Sequence, residues 1–394
     1  MRTKWMLVGL ALLFGAVVAA MPAPAGAELK VGISGYIKLD VQYSDKIITD
    51  GAGLPSPSPA STRLDGDRDA DNSQTILDAR ETRVRVTFTD EVMGVKMSGR
   101  VETDFFTTDG SAGTSNSRHL RLRHAFARGD HPSGFFLLAG QYWSIFMNSD
   151  IAQPDLVDFN GPAGQIFARQ PQLRVGWKSA LGGGMGDLVL EAGAEKHSLE
   201  NLGSATVAEN QGEGQDIPLF VGKLSWLHSI FQGEVAGAAG NNRVILTGGR
   251  DQDETAWGIQ VSAQLNLDPV TLMAHYQHGD GLSRLLNGDF PGAFLVGSEV
   301  RNVEADGWYA GASLKLTKDT SMTALYGWHE ADRITSAGFT GSNQARHQSV
   351  HVNLLQKFWQ RWQAGLEYRR FWVDTFDRQE GDVNIVHGAL WFFF

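Results

Sequence analysis

The chain has no cysteine, only 12 prolines and, beyond its first 27 residues, no long apolar run. Without cysteine, no disulfide can stabilise the fold in an oxidising compartment. Without a run of about 20 apolar residues, no transmembrane helix is expected after the first segment. The formal net charge of −10 argues against nucleic-acid binding, which depends on a basic surface.

The residues that are plentiful suit strands and turns. Glycine occurs 46 times, 10% of the residues are aromatic, and the mean hydropathy is −0.20. Aromatic residues are enriched in β-strands, and glycine is frequent in the turns that connect them. The composition therefore favours an all-β protein.

The first 27 residues have the pattern of a secretory signal peptide. Arg2 and Lys4 precede an apolar run, and the small residues of 25–27 supply an A-x-A cleavage site. We expect 1–27 to be a signal peptide and 28–394 to be a single β-barrel domain.

Alternation of apolar and polar residues recurs along the expected mature chain. One apolar face of this kind consists of Ile37, Leu39, Val41 and Tyr43. A water-filled barrel in lipid needs strands of about ten residues with apolar residues outward and polar residues inward. The fold expected is an all-β transmembrane antiparallel β-barrel.

Sixteen strands can be placed. They are 32–44, 78–90, 93–106, 118–129, 134–145, 169–180, 186–197, 216–227, 230–241, 253–267, 269–279, 305–317, 320–331, 345–357, 361–374 and 382–394. Short and long connections alternate between them, which is the arrangement of short periplasmic turns and long extracellular loops. Both termini are then expected on the periplasmic side.

The last predicted strand ends at Phe394 and is rich in aromatic residues. Such a strand looks like the terminal strand of bacterial outer-membrane barrels, whereas in a soluble protein it would leave an unprotected sheet edge. We expect it to close the barrel by pairing with the first strand through Ile37, Leu39 and Val41.

The polar faces of the second to sixth strands are rich in basic residues. They are Arg83, Arg85, Arg100, Arg121, Arg123, Arg174 and Lys178. Neighbouring strands lie about 5 Å apart, so these side chains can form a cationic ladder on one wall of the lumen. Guanidinium groups remain charged and bind carboxylates in a bidentate manner, which suits an anion pathway. The alternative is that they pair with lumen acids such as Glu81, Glu102 and Asp104.

The connection 146–168 is the candidate constriction, because a long barrel loop can fold inward and narrow the lumen. It carries Asp150, Asp155 and Asp158, which would face the arginine wall and create a transverse field. The alternative is that this loop stays outside and covers a subunit contact.

Catalytic and metal sites are not indicated. The acids Asp65, Asp67, Asp69 and Asp71 alternate as calcium ligands can, but the pattern lacks the glycine and terminal glutamate of an EF-hand. Pairs of histidines such as His347 and His351 do not converge when they lie on a strand. No catalytic triad or carboxylate pair has supporting spacing, and no cofactor is expected.

Several segments resemble the DcaP-like porin family. They are 34–40 (SGYIKLD), 121–126 (RLRHAF), 138–147 (LAGQYWSIFM), 158–166 (DFNGPAGQI) and 169–174 (RQPQLR). The resemblance covers roughly the first half of the mature chain. It implies a homotrimeric outer-membrane channel for small dicarboxylic and other anionic solutes. The extension that some members carry before the barrel has no counterpart here.

The sequence thus favours a porin in outer-membrane lipid that passes small anionic solutes through an arginine-lined lumen. Three alternatives remain open. They are a general non-selective porin, a surface-binding barrel with a plugged lumen whose loop 45–77 catches a partner, and an enzyme built on a barrel.

Overall fold

The computed structural model describes residues 28–48, 57–67, 70–107, 110, 116–197, 215–245, 251–282, 285, 290–296, 298–332 and 343–394. The expected signal peptide lies outside these residues. Among the described residues, no helix is long and apolar enough to cross a membrane.

The described chain consists almost entirely of β-strands and one short 3-10 turn at Pro59–Ser61. The strands are β1 Lys30–Ser44, β2 Gln74–Asp78, β3 Arg83–Val92, β4 Val95–Asp104, β5 Arg121–Asp130, β6 Phe135–Trp143, β7 Arg169–Ala180, β8 Asp187–Glu195, β9 Leu219–Leu227, β10 Phe231–Ile245, β11 Asp251–Leu267, β12 Val270–Asp280, β13 Ala293–Val296, β14 Glu299–Asn302, β15 Glu304–Lys315, β16 Thr320–Ala331, β17 Gln344–Phe358, β18 Trp362–Thr375 and β19 Glu380–Phe393.

These strands close into an antiparallel barrel with sixteen wall strands, as the sequence predicted. Each wall strand pairs with the next along the chain, and the hairpin β13–β14 stands apart in the long connection before β15. Short turns connect the strands at one end of the barrel and long loops at the other, which we assign to the periplasmic and extracellular sides.

One predicted strand is divided in the structure. The segment 78–90 was expected to be continuous, but β2 and β3 pair with different halves of β1 and are separated at 79–82. At this break, the Thr82 hydroxyl accepts a hydrogen bond from the backbone N–H of Lys38 at 3.2 Å. A side chain thus replaces a backbone partner that the interrupted strand does not supply.

The first and last strands pair and close the barrel, as predicted through Ile37, Leu39 and Val41. Ile37 pairs with Phe392, Leu39 with Leu390 and Val41 with Gly388. The backbone N–H of Gly35 donates to the Phe394 carbonyl at 3.1 Å, and the N–H of Phe394 donates to the Gly35 carbonyl at 3.2 Å. This prediction is confirmed.

The outer surface is apolar and the polar faces point inward. In β1, Ile37, Leu39 and Val41 are exposed on the outside, whereas Lys38 and Asp40 are buried inside. Apolar residues thus lie outside and polar residues inside, the reverse of a soluble protein, and a barrel in lipid requires this arrangement.

Candidate pore and its lining

The loop between β6 and β7, residues 144–168, folds into the barrel, and we call it the inward loop. Its backbone is held by side chains on the inner wall. The N–H of Val157 donates to Glu367 Oε2 at 2.6 Å, and the N–H of Ala163 donates to Ser349 Oγ at 2.9 Å. Asn353 Nδ2 donates to the Asp155 carbonyl at 2.7 Å. The loop therefore lies against the inner faces of β17 and β18.

Glycines on the loop and on the wall allow this close approach. A Cβ added to Gly327 of β16 would lie 2.3 Å from the Ala163 carbonyl oxygen, and one added to Gly307 of β15 would lie 3.0 Å from the Gly164 Cα. Gly164 itself has a φ of 79°, which favours glycine. Backbone thus packs on backbone where the loop meets β15 and β16.

Buried charges fix the middle of the inward loop. The Asp158 carboxylate forms an ion pair with Arg369 of β18, and both side chains are inaccessible to solvent. Lys38 Nζ donates to the Val157 carbonyl at 2.9 Å and also forms ion pairs with Asp40 and Glu81. Breaking one partner of such a buried pair is strongly destabilising, so these contacts hold the loop in place.

A second connection, residues 281–303, adds apolar groups inside the barrel. Phe290 packs between His329 and His347, with ring centroids 4.6 Å from each. It belongs to a buried cluster that also contains Ile145, Phe146, Met147, Ile166, Ala168, Leu219, Val221, Ala236, Ala238, Ala256, Leu282, Leu285, Phe294, Val303, Ala305 and Ala331. Its wall members lie on β9, β10, β11, β15 and β16, and Trp143 and Phe167 pack against it.

The predicted basic residues lie on the wall formed by β3, β4, β5 and β7. Most of them contact carboxylates. Arg85 and Arg123 bind Glu102, Arg121 and Arg123 bind Asp104, Arg83 lies 3.5 Å from Glu81, Arg174 lies 2.9 Å from Glu191, and Lys178 lies 2.8 Å from Asp187. Lys178 is half exposed and sits near the short-turn end, away from the other six.

Pairing does not neutralise this wall. Around Glu81, Glu102 and Asp104 stand six arginines, namely Arg83, Arg85, Arg100, Arg121, Arg123 and Arg169. Within the described residues, Arg100 and Arg169 form no ion pair and contact aromatic rings instead. The side chains of Arg85 and Arg121 remain 32% exposed. The wall therefore carries surplus positive charge that faces water in the lumen.

A β-bulge increases the number of inward groups on β5. The register against β4 shifts between Glu102 and Thr103, so Arg123 and its neighbour His124 are both buried inside the barrel. Simple alternation would direct one of two consecutive residues outward.

Sequence reasoning missed the aromatic rings that lie among these arginines. Trp143, Phe167, Phe159 and Phe106 form a continuous series with centroid separations of 5.0, 5.8 and 4.8 Å. Arg169 lies over Trp143 and Phe167, Arg83 and Arg123 over Phe159, and Arg121 over Phe106. We call these four rings and four arginines the arginine–aromatic row. Arg169 is the first residue of β7, so alternation does not indicate whether its side chain points into the lumen.

The three loop acids are not all directed at the arginines. Asp158 contacts Arg369, and its neighbour Phe159 is the residue that faces Arg83 and Arg123. Asp150 and Asp155 are exposed. The Asp155 side chain reaches lumen water, but atoms of the surrounding barrel wall reduce its solvation. This partial desolvation raises the pKa of its carboxyl; the charge of Lys357 lowers that pKa, and the charge of Glu367 raises it further.

Residues of both candidate metal sites make other contacts. Asp65 lies 2.8 Å from Lys46, and Asp69 falls outside the described residues. Across the described part of the chain, no group of three or more potential ligands is positioned to hold a metal ion. His351 lies 3.0 Å from Glu367, and His347 packs on Phe290.

A protein-family description, Gram-negative porin, matches residues 15–375. The chain belongs to the Gram-negative porin family. Its porin fold and an inner lumen lined by arginines agree with a passive outer-membrane channel. Membership also places the protein in the outer membrane and gives it a role in transport.

Solved structures share the fold of this porin. The outer membrane channel DcaP of Acinetobacter baumannii is similar with a TM-score of 0.76 and 23% identity, over 95% of this chain and 99% of that chain. The anion-selective porin from Comamonas acidovorans has a TM-score of 0.58 and 11% identity, over 93% and 100%. OmpT of Vibrio cholerae in its trimer form has a TM-score of 0.57 and 11% identity, over 93% and 99%. A comparison with curated proteins gave no match.

Proposed function

We propose that this porin prefers small anions, dicarboxylates among them, over cations and uncharged solutes of the same size. The observation that carries the proposal is the surplus of arginine over carboxylate on the wall of β3–β7. Charged groups that line a pore attract ions of opposite sign and repel ions of like sign. Among proteins of the same fold, the Comamonas acidovorans porin is described as anion-selective.

Arg100 and Arg169 contribute most to this preference. Each lacks a carboxylate partner within the described residues, so no adjacent carboxylate offsets its charge. The paired residues Arg85 and Arg121 keep exposed guanidinium groups that can still donate to an anion. Arginines spaced along the wall can bind the two carboxylates of one dianion at the same time.

The inward loop is the proposed constriction. It lies between β3 and β18, because Phe159 contacts Arg83 while Asp158 contacts Arg369. Asp150 and Asp155 place negative charge on this loop, and the arginines place positive charge across from it. A transverse field of this kind would separate solutes by charge at the narrowest level.

A homotrimer is the proposed assembly. OmpT of Vibrio cholerae, which has the same fold, is described in a trimer form. The apolar outer face supplies surface that can contact either lipid or another subunit.

A plugged lumen is the second candidate, and the apolar cluster around Phe146 and Phe290 is the observation that favours it. That barrel would bind partners on its loops and conduct only after the inward loop or the connection 281–303 is removed. The exposed guanidinium groups of Arg85 and Arg121 favour the open channel instead.

Uptake by liposomes tests the proposal. Vesicles that contain the purified porin are exposed to uncharged, monoanionic and dianionic solutes of one size. Uptake that increases with negative charge supports an anion-preferring channel. Equal rates support a non-selective porin, and no uptake of any solute supports the plugged barrel.

A further inference from the structure

A polar cavity lies at the short-turn end of the lumen, on the wall opposite the arginine–aromatic row. It has a volume of about 480 Å³ and is enclosed by the inner faces of β12, β15, β16, β17 and β18. Its lining includes Thr271, Ser313, Ser321, Thr323, Lys315 and Lys357. We call it the exit pocket. The tip of the inward loop, at Asp155, forms part of its lining.

Lys357 is the basic group best placed to bind a solute there. It lies near the end of β17 on the same face as the inward residues Asn353 and Leu355. Within the described residues its ammonium group forms no ion pair. Lys315 has Asp268 at 3.8 Å, but both side chains are largely exposed, so that pair is weak. Lys318 also lines the cavity, 3.8 Å from Asp319, so three lysines and the two acids Asp155 and Asp319 surround it.

Hydroxyl groups supply further polar surface. Ser313 Oγ and Thr323 Oγ1 lie 2.8 Å apart, so one hydroxyl donates to the other. The proton of the accepting hydroxyl and the remaining lone pairs are available to a ligand. Ser321 adds a third hydroxyl. Hydroxyls that lie beside ammonium groups can donate to the oxygens of a carboxylate or a phosphate.

We propose that the exit pocket is a second binding site for small oxyanions that carry a carboxylate or a phosphate. An anion occupies this site after it leaves the arginine–aromatic row and before it enters the periplasm. This inference rests on the proposed function, because anions must cross the lumen to reach the pocket from outside. Lysine is a strongly hydrated point charge, and arginine binds carboxylates in a bidentate manner. The exit pocket therefore binds more weakly than the row, which favours release after passage.

Asp155 limits how strongly the pocket binds. Its carboxylate interacts with Lys357 and so competes with a solute for the same charge. Replacing this carboxylate by an amide of equal size removes the competition and lengthens the time that an anion remains bound.

Single-channel recording tests the proposal. Succinate or inorganic phosphate is added to one side of the bilayer at a time, and brief interruptions of the current are counted. For the wild-type porin we expect interruptions that are more frequent when the anion enters from the short-turn side. Loss of one charge-assisted hydrogen bond in Lys357→Gln should shorten the dwell time roughly tenfold. Asp155→Asn should lengthen it.

Lys30→Gln is the matched control, because Lys30 is an exposed lysine at the same end of the barrel and outside the pocket. Its dwell times should equal those of the wild type. Interruption by succinate alone identifies a carboxylate site, and interruption by phosphate alone identifies a phosphate site. If the Lys357→Gln variant does not insert into the bilayer, the wild type still tests the exit pocket, because its interruptions should depend on the side to which the anion is added.

Two results overturn the exit pocket. One is an anion-selective wild type that shows no side-dependent interruption by either anion, and the other is a Lys357→Gln porin with unchanged dwell times. A wild type that lacks anion selectivity overturns the proposed function instead. The reversal potential, measured in the same bilayer, separates these failures.

Discussion

The Ala163 carbonyl oxygen of the inward loop lies so close to Gly327 of β16 that a Cβ on this glycine would sit 2.3 Å from it. A methyl group at this position can be accommodated only if the loop or the strand moves. The position of the inward loop in the lumen therefore depends on the absence of a side chain in the wall.

Gly327→Ala should displace the inward loop. Overpacking of a close contact typically costs about 1–3 kcal/mol, and the loop can move into the lumen more easily than the strand can bend. We expect current that fluctuates between levels in single-channel recordings. In Gly388→Ala, the control, the nearest backbone atom to the new Cβ is 3.9 Å away. Quiet recordings from Gly327→Ala would mean that the wall, and not the loop, adjusts.

The buried pair of Asp158 and Arg369 should dominate the stability of the loop. Asp158→Asn removes the nearest carboxylate of the buried Arg369, which keeps Glu367 at 3.8 Å and a hydrogen bond to Gln42. Loss of one partner of a buried ion pair typically costs about 3–5 kcal/mol. We expect a clear fall in the temperature at which the folded barrel converts to the unfolded form on gels. The double variant Asp158→Asn/Arg369→Gln should recover part of that loss.

The control for this pair is Arg370→Gln, whose partner Asp382 lies 2.8 Å away at a partly exposed position. A surface pair is worth about 0–1 kcal/mol, so the melting temperature should change little. Equal losses for Arg370→Gln and Asp158→Asn would contradict the anchoring role of the buried pair.

Anion preference should rise as the pH falls through the titration of Asp155. Partial desolvation by the surrounding wall raises the pKa of this carboxyl, so it becomes neutral at a higher pH than an ordinary aspartate does. Protonation removes one negative charge from the loop, while the arginines stay charged. Reversal potentials measured across a pH series should show this step, and Asp155→Asn should abolish it. If the step persists in Asp155→Asn, the titration of another group causes it.

The sequence predicted the wall of the barrel better than its interior. Alternation along strands such as Ile37–Tyr43 reports which face meets lipid, and it produced the right number of wall strands and the closing pair of first and last strands. It could not detect the interruption at 79–82 or the bulge at Arg123, because both change the period locally without a distinctive residue.

Contacts between distant segments were also invisible in the sequence. The acids of 146–168 were expected to face the arginines, but the partner of Asp158 is Arg369, 211 positions later, as the structure places it. Phe159 and Phe167 carry no charge, so sequence reasoning gave them no role, although arginines lie over both rings. Such pairings depend on the path of the loop across the lumen.

The surplus of arginine on the lumen wall is the central claim, and a reversal potential across a KCl gradient tests it most directly. Arg100→Gln/Arg169→Gln is the decisive variant, because neither arginine forms an ion pair among the described residues and their removal leaves no carboxylate unpaired. Arg370→Gln, at the rim, is the control for the loss of positive charge. We predict that the wild type prefers chloride to potassium, that the double variant loses much of this preference and that the control keeps it. A wild type that prefers potassium, or a double variant with an unchanged chloride preference, would contradict the account.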